Sequence, residues 1–460
     1  MVQSMSYWMT KVTSLDLKMF RCTFCDIRVE ETHKSNIFIQ NGELVSANDR
    51  PSLGFFIRVF NRGKWYYQSA TDFDKIPQYI YDLIKLSQTM PVEENHYQPP
   101  TDQGNHFLMK YDQVAVKNIS LDKKLALVKS YLPLIDKIEF LKESRLRYAD
   151  MYMLKYYKNS AGTSFAYDFN QAGFSFGGTL KKGDSLFTDG HNEYSSNFAS
   201  LQNLDEKILK HFHEAKEFLD AKTIDPGKYR VVLSPEMVGV FTHESFGHKS
   251  EADFMLGDPE ATKEWQMGKK VGASILSIVD TGSHLNTSGY CPIDDEGTPA
   301  KKNYLIKDGI LSGRLHTTIT AQALGEEPTG NCRAMNFEFE PIVRMTSTYI
   351  EPGKDSLEDV FRKAGDGALY FDGVKHGTGG STFTIAPTRA YIIKDGKLHE
   401  PVRVSVISGS VFETLNNIEA ISNDFDLKSS AFGGCGKMEQ FPLPVADGGP
   451  SILVNGMQVS

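Results

Sequence analysis

A chain of 460 residues is too long for one typical hydrophobic core, so two or three domains are expected. With 40% hydrophobic and 23% charged residues it has the composition of a soluble globular protein, and a net charge of −8 argues against a broad nucleic-acid footprint, which needs a basic surface. Five cysteines, an odd number, do not make a disulfide framework. The stretch 1–20 is interrupted by Lys11, Asp16 and Lys18 and lacks the continuous apolar core of a signal peptide. No run approaches the roughly 20 apolar residues that span a bilayer. A cytoplasmic protein that engages neither membrane nor nucleic acid directly is the expectation.

Cys22 and Cys25 form a C-x-x-C pair inside an alternating run, residues 21–29, that reads as a strand. No second pair completes a four-cysteine zinc site, so buried strand thiols are expected there rather than a redox or metal centre. Residues 35–42 alternate and end on an Asn-Gly turn, and strand-like runs follow at 53–60 and 64–67, then a helical stretch at about 72–87. A helical segment at 123–137 leads to a second set of strands at 150–157, 163–167 and 173–180, then a helix at about 204–221. Strands followed by a helix thus occur twice, which predicts an N-terminal α/β region of two similar strand–helix units.

A boundary falls near 224–227, which divides the chain into domains 1–225 and 226–460. Beyond it helical signals are sparse. Asp-Gly turns between apolar runs at 304–311 and 391–398, with an alternating run at 402–407, predict a mainly antiparallel β domain. The fold class expected for the whole is α+β.

One helix stands out in that β-rich half. Residues 229–233 (YRVVL) read as a short buried strand, and Ser234-Pro235-Glu236 is a strong helix start: an N-cap hydroxyl, proline at the first position and an acid in the first turn. About two turns in come His243-Glu244-Ser245-Phe246-Gly247-His248. Two imidazoles and an adjacent carboxylate are the composition of a zinc hydrolase centre, with two nitrogen ligands and a glutamate to handle a water proton. The spacing is unusual: residues five apart lie roughly 140° apart on a regular helix. Both histidines reach one ion only if the helix departs from regular geometry between them, and Phe246-Gly247 is the expected place.

A catalytic zinc needs a third protein ligand. Glu251, Asp253, Asp258, Glu260 and Glu264 follow closely, and His284 and His316 come from later strands. Cys435 is the most distinctive candidate. It lies in Ala431-Phe432-Gly433-Gly434-Cys435-Gly436-Lys437, where glycines let the backbone approach an ion and Lys437 is placed to favour a thiolate. Two other clusters are read more plainly. The acids Asp294, Asp295 and Glu296 suggest a solvated turn, with a calcium site or a supporting role beside a metal as the alternatives. The run 376–380 (HGTGG) lacks the Lys-Ser/Thr ending of a phosphate loop and reads as a flexible turn.

Taken in order, HESFGH at 243–248, IDDEGTP at 293–299 with YLIKDGILSG at 304–313, PTGN at 328–331, RMTSTYI at 344–350, ISGS at 407–410 and GCGK at 434–437 with Pro444-Val445 resemble the TldD/PmbA family of zinc peptidases, whose members also carry the name modulators of DNA gyrase. The blocks cover nearly all of the second half. The resemblance implies that His243, His248 and Cys435 bind Zn2+, that Glu244 is catalytic, and that the chain is of the TldD-like type that keeps the histidine motif. It implies hydrolysis of peptides or unfolded segments, and a homodimer or a heterodimer with a sister subunit. An edge strand over such a site would let a peptide bind by strand addition. A thiolate ligand donates more charge than imidazole, so a weakened Lewis acid and modest turnover are expected. The competing reading is a non-catalytic regulatory protein, a gyrase or toxin–antitoxin modulator with a structural metal, to which Glu244 would be superfluous. One departure from the family pattern is visible, Glu439 where glycine is usual, which is expected to reshape the loop beside Cys435.

Overall fold

The computed structural model describes residues 7–95 and 97–460; the first six residues of the stretch read for a leader lie outside the described residues. The first half contains α1 (Tyr7–Ser14), β1 (Phe24–Gln40), β2 (Glu43–Asn61), β3 (Lys64–Ala70), α2 (Ile76–Thr89), β4 (Asn105–Leu108), α3 (Leu121–Ser130), β5 (Leu141–Asn159), β6 (Ser164–Lys182), β7 (Ser185–Ser195) and α4 (Asp205–Ala215). The strands hydrogen-bond in the order β3-β2-β1-β5-β6-β4, with β7 also on β6. β1 and β5 run antiparallel side by side at the centre, so β1-β2-β3-α2 and β5-β6-β7-α4 stand as the two similar units. The Asn41-Gly42 turn has both φ angles positive (49° and 85°), the twist a two-residue hairpin requires. The helix expected over 123–137 is broken: α3 ends at Ser130 and a tight turn, Leu132–Lys137, follows, because Pro133 lacks the N–H a continuing helix needs.

The alternation of β1, β2 and β5 sorts their side chains onto two faces. Cys25, Ile27, Val29, Phe55, Ile57, Val59 and Leu154 point under the helices and pack with Ile80 of α2, Val128 of α3 and Phe212 of α4. The opposite face carries Asp26, Arg28, Glu30, Arg58 and Lys155, and all five are buried. What covers them is the second half of the chain. Arg28 Nη1 donates to Asp295 Oδ2 at 3.0 Å, Lys155 Nζ to Asp295 Oδ1 at 2.6 Å, and Arg58 Nη1 to Glu296 Oε1 at 2.8 Å, while Arg58 also grips Asp26. The acids at 294–296 are therefore not a solvated turn. Asp295 and Glu296 are anions held by cations of the other half, and Asp294 accepts the backbone N–H groups of Glu296, Thr298 and Cys332. Charged side chains are almost never fully buried unless they are paired, and these are paired.

The second half is mainly antiparallel. Strand Gly227–Leu233 lies between Leu369–Thr378 and Ile452–Val459; Ile407–Ser410 and Thr382–Lys394 complete the run, and Thr382–Lys394 pairs back onto Leu369–Thr378, closing a ring. The Asp308-Gly309 and Asp395-Gly396 turns both have positive φ, as the Asp-Gly signal predicts. The run expected at 402–407 is divided between Lys397–Arg403 and Ile407–Ser410. α5 (Pro235–Thr242) leaves strand Gly227–Leu233 and packs between this sheet and a second one containing Ser347–Ile350 and Ala446–Gly449. The whole is a mixed α+β fold with predominantly antiparallel sheets. No helix among the described residues is long and apolar enough to cross a membrane.

Candidate metal centre

The helix carrying the histidine motif starts as the sequence dictates. Ser234 caps it by accepting the Met237 N–H, and Pro235 occupies the first turn. Gly239 allows the strand at 446–449 to approach closely, since a Cβ there would lie 2.7 Å from the Gly448 nitrogen. After Thr242 the helix widens: residues His243–Gly247 form a π turn, and the His248 N–H donates to the His243 carbonyl. An i→i+5 hydrogen bond brings residues five apart back over one another, so the spacing that a regular helix would splay becomes convergent. The expected departure is present, and it begins at His243 itself. Gly247 is fixed by packing, because any Cβ would run into Met345 Sδ.

Cys435 arrives from the far end of the chain on a hairpin, Cys435–Lys437 against Gln440–Leu443. Gly434 precedes it where a side chain would strike the Leu443 backbone, and buried Arg344 holds the Cys435 carbonyl at 2.7 Å. The turn is Met438-Glu439. Met438 takes the left-handed conformation (φ 52°), whereas Glu439 does not, so the residue standing where the family has glycine causes no backbone strain. The expected reshaping does not displace Cys435.

The structure brings His243, His248 and Cys435 together: one ligand-type atom from each lies within 4.8 Å of the other two. Cys435 Sγ is 3.4 Å from His248 Nε2, and the two imidazole rings are 5.1 Å apart and nearly perpendicular. Among the described residues no other three His, Cys, Asp or Glu side chains converge in this way. Glu251 is not in the cluster but stands behind it, with Oε2 3.0 Å from His248 Nδ1 and its side chain fully buried. Asp447 takes the corresponding place behind His243, at 4.0 Å from Nδ1, too far for a direct hydrogen bond. His243 Nδ1 is buried without a hydrogen-bond partner among the described residues.

Lys437 does not serve the thiolate. Its ammonium lies 2.6 Å from Asp253 and 3.2 Å from Glu251, so its charge is matched by carboxylates. Burial disfavours the Cys435 thiolate, but hydrogen bonds with His243 and then His248 outweigh it and draw the thiol down to about 5. Burial likewise opposes a proton on His248, and Cys435 and Glu251 overcome it, pushing the imidazole up to about 10. His243 is raised in the same way, against its burial, by Cys435 and Asp447. Burial pushes Asp447 up to about 6. A thiolate between two imidazoles, each with a carboxylate behind it, is a donor set that fits zinc.

Glu244 and His248 open onto a cleft of about 510 Å³ that is also lined by Phe254, Trp265, Gly379 and Lys437. The run at 376–380 is not a free turn. It belongs to the tip of the hairpin formed by Leu369–Thr378 and Thr382–Lys394, and Gly379 lies so close to the motif that a Cβ would approach the Ser245 nitrogen to 2.9 Å. The other candidates lie elsewhere. Asp258 caps a short helix, Glu260 is exposed, Glu264 pairs with Lys249, His284 lies edge-on to Tyr349, and His316 is bonded to Glu326 and Thr320. Cys22 and Cys25 are free thiols. The sequence carries only an indirect signal for two further residues: Met345 lies within the family-like block RMTSTYI, and Asp447 two residues beyond Pro444-Val445.

Residues 226–460 match the PmbA/TldA metallopeptidase C-terminal domain, and residues 25–85 match the PmbA/TldA metallopeptidase domain 1. A metalloprotease of Synechocystis sp. is 32% identical over 441 residues, spanning 95% of this chain and 94% of its own. A metalloprotease of Methanocaldococcus jannaschii is 27% identical over 439 residues, with 93% and 94% covered. A zinc metalloprotease TldD homolog of Saccharolobus solfataricus is 34% identical over 261 residues, 56% of each chain. Among solved structures, a Thermotoga maritima protein described as a modulator of a DNA gyrase superposes with a TM-score of 0.77 at 20% identity, covering 95% of this chain and 96% of that one. TldE from Thermococcus kodakarensis gives 0.77 at 17% identity, covering 98% and 100%. At these identities the structural likeness speaks to the fold.

Proposed function

This chain belongs to the PmbA/TldD metallopeptidase family, and from that premise we propose that it is a zinc-dependent peptidase acting on peptides or unfolded segments, with His243, His248 and Cys435 as metal ligands and Glu244 as general base. The observation that carries this reading is the π turn that makes two histidines five residues apart converge on Cys435, beside a cleft that Glu244 borders. A site of purely structural metal would need a fourth protein ligand, and none joins the cluster among the described residues. That favours the catalytic reading over the regulatory one.

When bound, zinc supplies Lewis acidity to the scissile carbonyl and to the attacking water. Glu244 accepts the water proton and returns it to the leaving amine. Glu251 orients His248 through Nδ1, and Asp447 stands 4.0 Å behind Nδ1 of His243. Gly379, Gly380 and Gly436 line the cleft without side chains, so an extended substrate backbone can lie close to the walls. The chain is proposed to work as a homodimer or with a sister subunit, TldE being a protein of the same fold; light scattering of the purified chain, alone and with such a subunit, decides between them.

Glu244→Gln is expected to lower cleavage of an unfolded protein substrate by about 10²–10⁴-fold with zinc stoichiometry unchanged. Full retained activity would remove Glu244 from the mechanism. Cys435→Ala and His248→Ala are expected to lose zinc by elemental analysis, and unchanged stoichiometry in both would sink the ligand set.

A further inference from the structure

A second cavity, of about 240 Å³, lies between the charged face of the first sheet and the segment 431–444. It shares no lining residue with the cleft. Its floor is ruled by the register of β1, β5 and β6: Glu30 is opposite Lys155, and Lys34 is opposite Met151, which is opposite Gln171. Glu30 and Lys34 are four residues apart on one strand face, which sets the two ends of the floor about 13 Å apart.

The two ends differ in charge. At one end Glu30 is 1% exposed; Oε1 lies 3.0 Å from Lys155 Nζ and 3.7 Å from Arg28 Nε, forming ion pairs but no hydrogen bond, and Oε2 has no hydrogen-bond partner among the described residues. At the other end are Lys34 and Arg147, for which no ion pair is found among the described residues, and Arg147 lies over the Phe432 ring. Gln171, 5% exposed, lies at this end with Oε1 unpartnered among the described residues. Arg333 in the wall is buried and, among the described residues, donates to the Met345 and Pro444 carbonyls. Between the ends the floor is apolar, with Met153 and Phe169.

Buried acceptors without donors carry a desolvation cost that a ligand donor removes, and the unbalanced cations favour an anion. We propose that this cavity binds a short zwitterionic peptide of about three to four residues in extended form, matching the span of the floor. Its ammonium group meets Glu30, a backbone N–H meets Gln171, an apolar side chain lies over Phe169, and its carboxylate meets Lys34 and Arg147. The polarity of the cavity is independent of the metal centre, so the proposal stands or falls apart from the peptidase reading.

The test is calorimetric titration of the full-length, metal-free chain with Ala-Phe-Ala, its N-acetyl form and its C-terminal amide. Saturable binding of the free tripeptide is expected, weakened at least about tenfold by either block. Gln171→Met removes one acceptor without touching the ion network and is expected to cost about tenfold, so it keeps the test readable if Glu30→Gln does not fold. His248→Ala should leave binding unchanged. No saturable binding, equal binding of the N-acetyl peptide, wild-type affinity in Gln171→Met, or loss in His248→Ala would each overturn the proposal, the last by placing the peptide in the metal cleft.

Discussion

His248 is held through Nδ1 by Glu251, whose other neighbour is the Lys437 ammonium at 3.2 Å. A carboxylate in that position fixes the ring and raises its basicity as a ligand. Glu251→Gln is expected to weaken zinc affinity about 10–100-fold, read by competition with a chromophoric chelator; an unchanged affinity would reduce Glu251 to packing. The same residues give the metal-free chain a defined pH response. Cys435, drawn from 9.0 to about 5, contributes stability that is complete above 9.0 and lost as pH falls through about 5. His248, raised from 6.5 to about 10, contributes stability that is complete below 6.5 and lost as pH rises through about 10. The metal-free protein should therefore soften at both limits, and His248→Ala should flatten both edges of a Tm against pH profile. Zinc must displace the His248 proton, so its uptake near neutral pH should release protons, detectable as a dependence of the binding heat on buffer ionisation.

At the scale of elements, the motif helix was legible because a conflict was written into it. The start signal at Ser234-Pro235 demanded a helix, and a five-residue spacing between ligands is incompatible with 3.6 residues per turn, so an irregular turn followed. Where it begins is not legible, since Met345, from the segment between strands Ile342–Val343 and Ser347–Ile350, packs against Gly247. Gly247→Ala is expected to destabilise by about 1–3 kcal/mol through overpacking, with zinc affinity reduced as the turn is displaced, and Met345→Ala in the same chain should restore part of both. A substitution without effect on either would show that the turn does not depend on this contact. Cys435 was one candidate among many from residue chemistry alone, because the hairpin that delivers it is positioned by pairing and by Arg344, neither of which leaves a local trace. The family-like blocks, read in order, supplied what spacing did not. The glycine run at 376–380 was misread for the same reason: its role comes from the backbone of Glu244 lying beside it.

At the scale of the molecule, the least legible feature is the face the two halves share. An alternating strand such as β1 reads as apolar on one side and solvated on the other, yet Asp26, Arg28 and Glu30 are sealed by residues more than two hundred positions away. We assign the domain division to 225/226, where the matched C-terminal family domain begins, and the ion network then becomes the contact that fixes one domain on the other. Asp295 is its centre. It is buried and accepts from Arg28, Lys155 and the Ala334 N–H. Removing it leaves two buried cations sharing the one carboxylate of Glu30, so Asp295→Ala should cost about 3–5 kcal/mol in denaturant unfolding. The loss should appear as faster hydrogen exchange at the backbone of 294–298 and 332–334, while the helix-covered core around Ile80 and Phe212 stays protected, because its packing is apolar and separate. Replacing all four members together, as Arg28→Met, Glu30→Leu, Lys155→Met and Asp295→Leu, should recover much of the stability, since a well-packed apolar cluster often equals a buried ion network. If the single variant were as stable as the parent, the charges would not be what holds the domains in place, and the cavity they frame would lose its fixed polarity as well.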